Sequence, residues 1–218
     1  MKRFLGKPVR SYYGGFEGSL VSLSPDAKNE VADVEIEHGN SYFEKYPINQ
    51  ITINSEYLVF VPSWKVQADE LKRQFDLTSK RIKALNELRS EGEIHEDLYS
   101  ELWKQHETLH SEIRDTQQTL IKNLSEISQR LTSQIKELQI CLTNNKMQRA
   151  AGEIDEESYR ATNESIKAGL KKASLERADL ENTLDYLMKL EVSQQATVEA
   201  PTEPSKEPSD LIVVKLLD

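Results

Sequence analysis

The stretch Leu109-His-Ser-Glu-Ile-Arg-Asp-Thr-Gln-Gln-Thr-Leu-Ile-Lys-Asn-Leu-Ser-Glu-Ile-Ser-Gln-Arg-Leu131 decides the fold. Its apolar residues belong to a pattern with a step of eleven. Leu98, Leu109, Leu120, Leu131 and Leu142 make one row, Leu102, Ile113, Leu124 and Ile135 a second, and Thr116, Ile127 and Leu138 a third. Eleven residues close three turns at about 3.67 residues per turn, so the rows merge into one stripe on a nearly straight rod with a slight right-handed wrap. The pattern predicts a helix over 95–150, on the order of 80 Å long at ~1.5 Å per residue. A rod of that length cannot bury its stripe against itself. Other helices must cover it, and the aliphatic residues of the three rows are the expected coiled-coil core.

The rod is bounded on both sides by the same motif. Gly92-Glu-Ile-His-Glu-Asp-Leu-Tyr99 returns sixty residues later as Gly152-Glu-Ile-Asp-Glu-Glu-Ser-Tyr159. Each Gly suits the left-handed position that ends a helix. Asp155, and more weakly His95, caps the next one. Ile94 and Tyr99, like Ile154 and Tyr159, have the spacing of a hydrophobic staple. Both copies read as tight reversals between antiparallel helices. The first flanking helix covers 63–91, with Ser63 as N-cap and the stripe Trp64, Ala68, Leu71, Phe75, Thr78, Ile82 and Leu85. The third covers 155–191, with Tyr159, Ile166, Leu170, Ala173, Leu180, Leu184 and Leu187 inward. Hairpin closure would bring Trp64 to Ile121 and Glu191 to Ile113. Open pairing between chains is the alternative.

Upstream, residues 1–62 read as β. Val34 and Ile36 alternate with Glu35 and Glu37, and Ile51 and Ile53 with Gln50 and Thr52, the period of half-buried strands. Tyr57-Leu-Val-Phe-Val61 is apolar on both faces. Turn residues at Gly14-Gly15, Ser24-Pro25-Asp26, His38-Gly39-Asn40 and Pro47 divide the runs. Five or six short strands in so few residues are expected to close into a small barrel, which removes exposed edges. The fold class is therefore α+β by segment: a small N-terminal all-β domain, then long antiparallel coiled-coil helices, then a tail.

The tail has two parts. Residues 193–210 carry Pro201, Pro204 and Pro208 among Glu, Ser, Thr and Ala, the composition of an extended, disordered linker. Residues 211–218 are Leu-Ile-Val-Val-Lys-Leu-Leu-Asp. An apolar, β-branched segment after a solvated linker is costly to leave exposed. Leu211, Ile212, Val213, Val214, Lys215, Leu216 and Leu217 are therefore the candidate partner-binding residues, added as a strand to a sheet edge. The barrel of the same chain is the alternative receiver.

The bulk numbers narrow the function classes. With 218 residues, 30% of them charged and 7% aromatic, the chain suits long solvated helices better than one large core. The net charge of -9 argues against non-specific nucleic-acid binding by the whole molecule. One cysteine, Cys141, fits a reducing compartment and is expected beside the stripe as a half-buried packing residue. No leader pattern and no membrane-spanning run is read, so the chain is expected in the cytoplasm.

Little reads as catalysis. His106-Glu-Thr-Leu-His110 matches the zinc-hydrolase pattern H-E-x-x-H by letter. A third ligand is missing, because Glu112, Asp115 and Glu126 lie on the same rod, so coincidence is the expected reading. His38 lies in a turn with no obvious partner. Gly14-Gly15-Phe16-Glu17-Gly18 is a hairpin turn, not a phosphate loop. Lys2, Arg3, Lys7 and Arg10, with Tyr12, Tyr13 and Phe16, form a candidate nucleic-acid or lipid-headgroup patch, though the overall acidity favours ordinary barrel surface. No enzyme, cofactor, metal or small-molecule substrate is expected.

The order of features resembles the archaeal cell-division protein A (CdvA) family. Its barrel part is similar to a PRC-barrel through Leu5-Gly-Lys-Pro-Val9, Gly18-Ser-Leu-Val21, Val34-Glu-Ile-Glu-His-Gly39 and Tyr57-Leu-Val-Phe-Val-Pro-Ser-Trp-Lys65. The resemblance implies a filament-forming scaffold at the mid-cell division site, near membrane and nucleoid. It implies recruitment of an ESCRT-III-like protein, whose winged-helix domain takes the C-terminal peptide, here Leu211 to Leu217, as an added strand. Association with DNA and with the membrane surface is also implied. The competing class is a nucleic-acid-associated PRC-barrel adaptor that binds RNA, ribosome or nucleoid.

Overall fold

A computed structural model describes residues 1–39, 41–54 and 56–197, with the side chains of 191–197 excepted. The candidate peptide 211–217 and most of the expected linker thus lie outside the described residues. Six strands come first: β1 (Pro8–Ser11), β2 (Phe16–Pro25), β3 (Val31–Glu37), β4 (Phe43–Pro47), β5 (Ile51–Ile53) and β6 (Leu58–Phe60). They form one curled sheet, a half-barrel, in the order β4-β3-β2-β1-β6-β5. The expected closed barrel is corrected in this respect: β4 and β5 remain the edges of the sheet. All neighbours are antiparallel except β1 and β6, which pair in parallel through Val9↔Leu58, Arg10↔Val59 and Ser11↔Phe60. Phe4, Val9, Leu20, Val34, Ile36, Ile51 and Leu58 fill the concave side. Val34 and Ile36 are both fully buried, as strict alternation requires.

Three helices follow: α1 (Ser63–Ser90), α2 (Glu96–Ala150) and α3 (Glu156–Thr197). Pro62 takes the N-cap position of α1, and Ser63 is already helical. Both reversals end a helix on a Gly with φ 73°, Gly92 and Gly152. Each shows the paired closing bonds of a Schellman motif, Glu93 N→Leu88 O with Gly92 N→Arg89 O, and Glu153 N→Gln148 O with Gly152 N→Arg149 O. The repeat is longer than its Gly-to-Tyr core. Arg89 pairs with Glu96 (2.7 Å) and lies over the Tyr99 ring (4.3 Å). Arg149 pairs with Glu156 (2.9 Å) and lies over the Tyr159 ring (4.4 Å). Asp155 caps α3 through Ser158 N (2.7 Å), whereas His95 makes no side-chain cap.

Both hairpins close within one chain. α1 runs back along the first half of α2 and α3 along the second, and all three meet in the middle. Trp64, Ala68 and Leu71 of α1, Ile113, Leu120, Leu124, Leu131 and Ile135 of α2, and Ala173, Leu180, Leu184 and Leu187 of α3 form one apolar cluster. Ile121 packs against the same cluster as Trp64. Gln117 Nε2 donates to Leu187 O (2.5 Å), which sets α3 against α2 just beyond Ile113.

The stripe on α2 is corrected in its first half. Leu98 and Leu109 are 48% and 42% exposed, Thr116 is exposed, and Leu102 is half-buried. The inward line there is Tyr99, Trp103, His106, His110, Ile113, Gln117, Leu120 and Leu124. Those steps alternate between four and three, the heptad of a left-handed pair. Two successive steps of four, at Ile127, Leu131 and Ile135, then shift the phase once. Ile127, Leu138 and Leu142 are half-buried along the second half. Reading by apolarity fails before Ile113 because the inward line there carries His106 and His110, and the next inward position after Ile113 is again polar, Gln117. The leucines at 98 and 109 face solvent instead. Cys141, expected half-buried, is exposed. The third helix continues to Thr197, past the expected end at 191.

Candidate functional site

The half-barrel is fastened to the helical body by a small polar junction. Tyr13 OH donates to Asp179 Oδ2 (2.7 Å), and Lys65 Nζ reaches the same oxygen (2.6 Å). Lys172 meets Glu17 (3.2 Å). Burial, then the Asp179 carboxylate, push the Tyr13 phenol well above its ordinary value. Burial likewise raises the Glu176 carboxyl, against the pull of the Trp64 indole and the Lys172 ammonium. For Tyr13 the folded value lies above the unfolded one near 10. Its contribution is complete below about pH 10 and is lost as the pH rises further. Tyr13→Phe is expected to remove about 1 kcal/mol at neutral pH and to flatten that alkaline loss. Urea titrations at pH 7 and pH 10.5 on both proteins check it.

Tyr13 therefore serves the junction and not a stacking platform. The cations of the expected basic patch, Lys2, Arg3, Lys7 and Arg10, are all exposed. Two of them lie over rings of the same chain: Arg3 over Phe4 (4.9 Å) and Arg10 over Tyr57 (4.4 Å). Tyr12 and Phe16 remain exposed at 47% and 65%. His38, expected without a partner, has two. Its Nδ1 lies 2.9 Å from Glu17 O, so that nitrogen carries the proton, and its Nε2 lies 3.0 Å from Tyr46 OH. Tyr46 OH is also 2.7 Å from Glu44. The chain ties β2, the β3–β4 turn and β4 together.

The H-E-x-x-H stretch gathers no metal set. Among the described residues there is no group of three or more His, Cys, Asp and Glu placed to hold an ion. His110 is instead buried against the Phe75 ring, with centroids 6.3 Å apart. Burial and the Arg114 charge lower its pKa.

Both histidines face a cavity that sequence reading missed. It measures about 470 Å³ and lies between α1 and α2, in the range of ligand-sized clefts. Phe75, Ile82 and Trp103 give it apolar walls, and Lys83, Glu107 and Arg114 give it charge. α3 fills the same α1/α2 groove further along, where Lys72 lies over the Tyr186 ring (4.9 Å) and Gln117 holds Leu187. Among the described residues, the cavity walls come from α1 and α2. The sequence signal was Trp103 and His106 falling on one line with Tyr99 and His110, at alternating steps of four and three.

No helix among the described residues is long and apolar enough to cross a membrane. A half-barrel that leads through a proline junction into two closed helical hairpins defines a coiled-coil class of protein. Residues 63–210 match the family model described as a CdvA-like coiled-coil domain, and the chain belongs to that family. The cell division protein A of Sulfolobus acidocaldarius is 25% identical over 210 residues, spanning 94% of this chain and 88% of that protein.

Proposed function

We propose that this chain serves cell division as a scaffold that acts by binding rather than by catalysis. The family membership, with a relative named for cell division matching across nearly the whole length, carries the reading. In it, copies of the chain assemble into a filament at the mid-cell division site, near membrane and nucleoid. The apolar segment Leu211–Leu217 captures the winged-helix domain of an ESCRT-III-like protein by adding a strand to it. Repeating that segment along a filament turns a modest affinity into strong local capture.

Surface for self-association is at hand. Leu77 and Leu88 on α1, and Leu98 and Leu109 on α2, are exposed large apolar residues. Each pair is eleven residues apart, so each shares one helix face. Leu98→Glu with Leu109→Glu is expected to abolish assembly in sedimentation runs while leaving the helical circular dichroism unchanged. Assembly that survives would remove this face from the filament contact.

The recruitment step is tested in the cell. A chain carrying Val213→Asp and Leu216→Asp is expected to reach the division site while the ESCRT-III-like protein stays dispersed. Normal recruitment by that variant would overturn the proposal. A nucleic-acid adaptor is the second reading, favoured by the exposure of Lys2, Arg3, Lys7 and Arg10. It requires salt-dependent binding that falls when those four are replaced.

A further inference from the structure

The α1/α2 cavity has no role in the scaffold as described, and its position points to an occupant. α3 lies in the groove as far as Leu190 and continues as helix to Thr197. At ~1.5 Å per residue, Thr197 is about 15 Å past Leu187, whose carbonyl is held by Gln117. That distance matches ten residues of α2, from Gln117 back to Glu107 on the cavity wall. The described chain therefore stops at the level of the cavity. The sequence beyond Leu190 offers only Val192 and Val198 as large apolar residues before Leu211. Thirteen residues, Val198 to Asp210, separate the helix end from the segment Leu211–Leu217. A tether of that length has an end-to-end distance of roughly 20 Å, enough to fold back.

Charge agrees with shape. The segment carries a carboxylate at each end, Asp210 and Asp218, and one cation, Lys215, between them. The cavity presents the complementary set: two cations, Lys83 and Arg114, and one carboxylate, Glu107. Phe75, Ile82 and Trp103 supply apolar contact for the leucines and valines.

We propose that this cavity is the resting seat of the chain's own Leu211–Leu217 segment, which docks there in cis and is withheld from any partner until the partner displaces it. The inference rests on the reading of that segment as a binding peptide and adds its regulation. A filament subunit would then be closed when alone and opened by competition. The tether supplies an effective concentration in the millimolar range, so the closed state forms even if the free peptide binds the cavity only weakly.

The test uses the chain itself as titrant, with no winged-helix domain present, so its outcome is independent of whether recruitment occurs. A labelled peptide of residues 207–218 is titrated with full-length protein carrying Val213→Asp and Leu216→Asp in its own tail. Saturable one-to-one binding is expected. Wild-type protein, with its seat filled, should bind the same peptide at least about tenfold more weakly. Lys83→Glu with Arg114→Glu should weaken binding to the opened protein without unfolding it. A peptide carrying Asp210→Lys and Asp218→Lys should recover part of the loss. No binding to the opened protein would overturn the proposal. So would equal binding to wild type, or blockade that appears only at concentrations where wild type self-associates, which would mean exchange between copies.

Discussion

Leu124→Asp is expected to destroy the helical body. Leu124 is fully buried at the point where α1, α2 and α3 meet. The cluster it belongs to includes Trp64, Leu71, Leu120, Leu180 and Leu187, and none of these side chains can solvate a carboxylate. An unpaired buried charge costs on the order of 5 kcal/mol, comparable with the whole stability of a domain. Circular dichroism should show most of the helix signal and the cooperative melt lost. Leu124→Ala removes volume without adding charge and should cost ~2–5 kcal/mol while keeping the fold. The contrast with Leu98→Glu is the sharper point. Both are leucine-to-acid changes on one helix, yet the exposed one should leave the melt unchanged. A Leu98 variant that melts like the Leu124 variant would place the inward line of α2 back on the eleven-residue rows.

Gly18→Val should unfold the half-barrel and leave the helices standing. Gly18 lies in β2 opposite Val9, next to the pair Ser19↔Glu37. A Cβ built there runs into the carbonyl oxygen of Glu37 and comes within 2.6 Å of Ile36 Cγ2. The obstacle is backbone, which cannot swing aside as a side chain would, so β2 and β3 must separate. The loss is about 3 kcal/mol or more, because overpacking and broken ladder bonds act together. Gly18 does not have positive φ, so the effect is one of space, not of backbone conformation. Amide hydrogen exchange should speed up across 16–37 and stay slow around Leu124. Protection lost equally in both regions would mean that the half-barrel and the helical body unfold as one unit.

The difference between these sites mirrors what the sequence made legible. Helix ends were readable because their signals are local: Gly92 and Gly152 at the stops and Asp155 as a cap. Strand alternation at Val34 and Ile36 was readable for the same reason. The parallel pairing of β1 with β6 was not, because it joins Val9 to Leu58 across nearly fifty residues with no periodic trace. Nor was the inward line of α2 before Leu120, where polar His110 and Gln117 take core positions on either side of Ile113. Gln117 is 1% exposed and its amide is used by the Leu187 carbonyl. Such buried polar groups cost stability against an aliphatic residue but fix which turn of one helix meets which turn of the next. The cavity was missed through the same omission, since Trp103, His106 and His110 of its α2 wall lie on that line. The partners of His38 were hidden because Glu17 and Tyr46 reach it only once β2, β3 and β4 are side by side.

Recruitment through the C-terminal segment is the central claim, and one titration tests it most directly. A fluorescent peptide of residues 207–218 is titrated with the winged-helix domain of an ESCRT-III-like protein from the same cell, and anisotropy is read. A Val213→Asp peptide is the control. The expected result is saturable binding at roughly micromolar strength, near -8 kcal/mol, that disappears in the control. No binding up to millimolar concentration, or equal binding by the control, would contradict the scaffold reading and turn attention to Lys2, Arg3, Lys7 and Arg10.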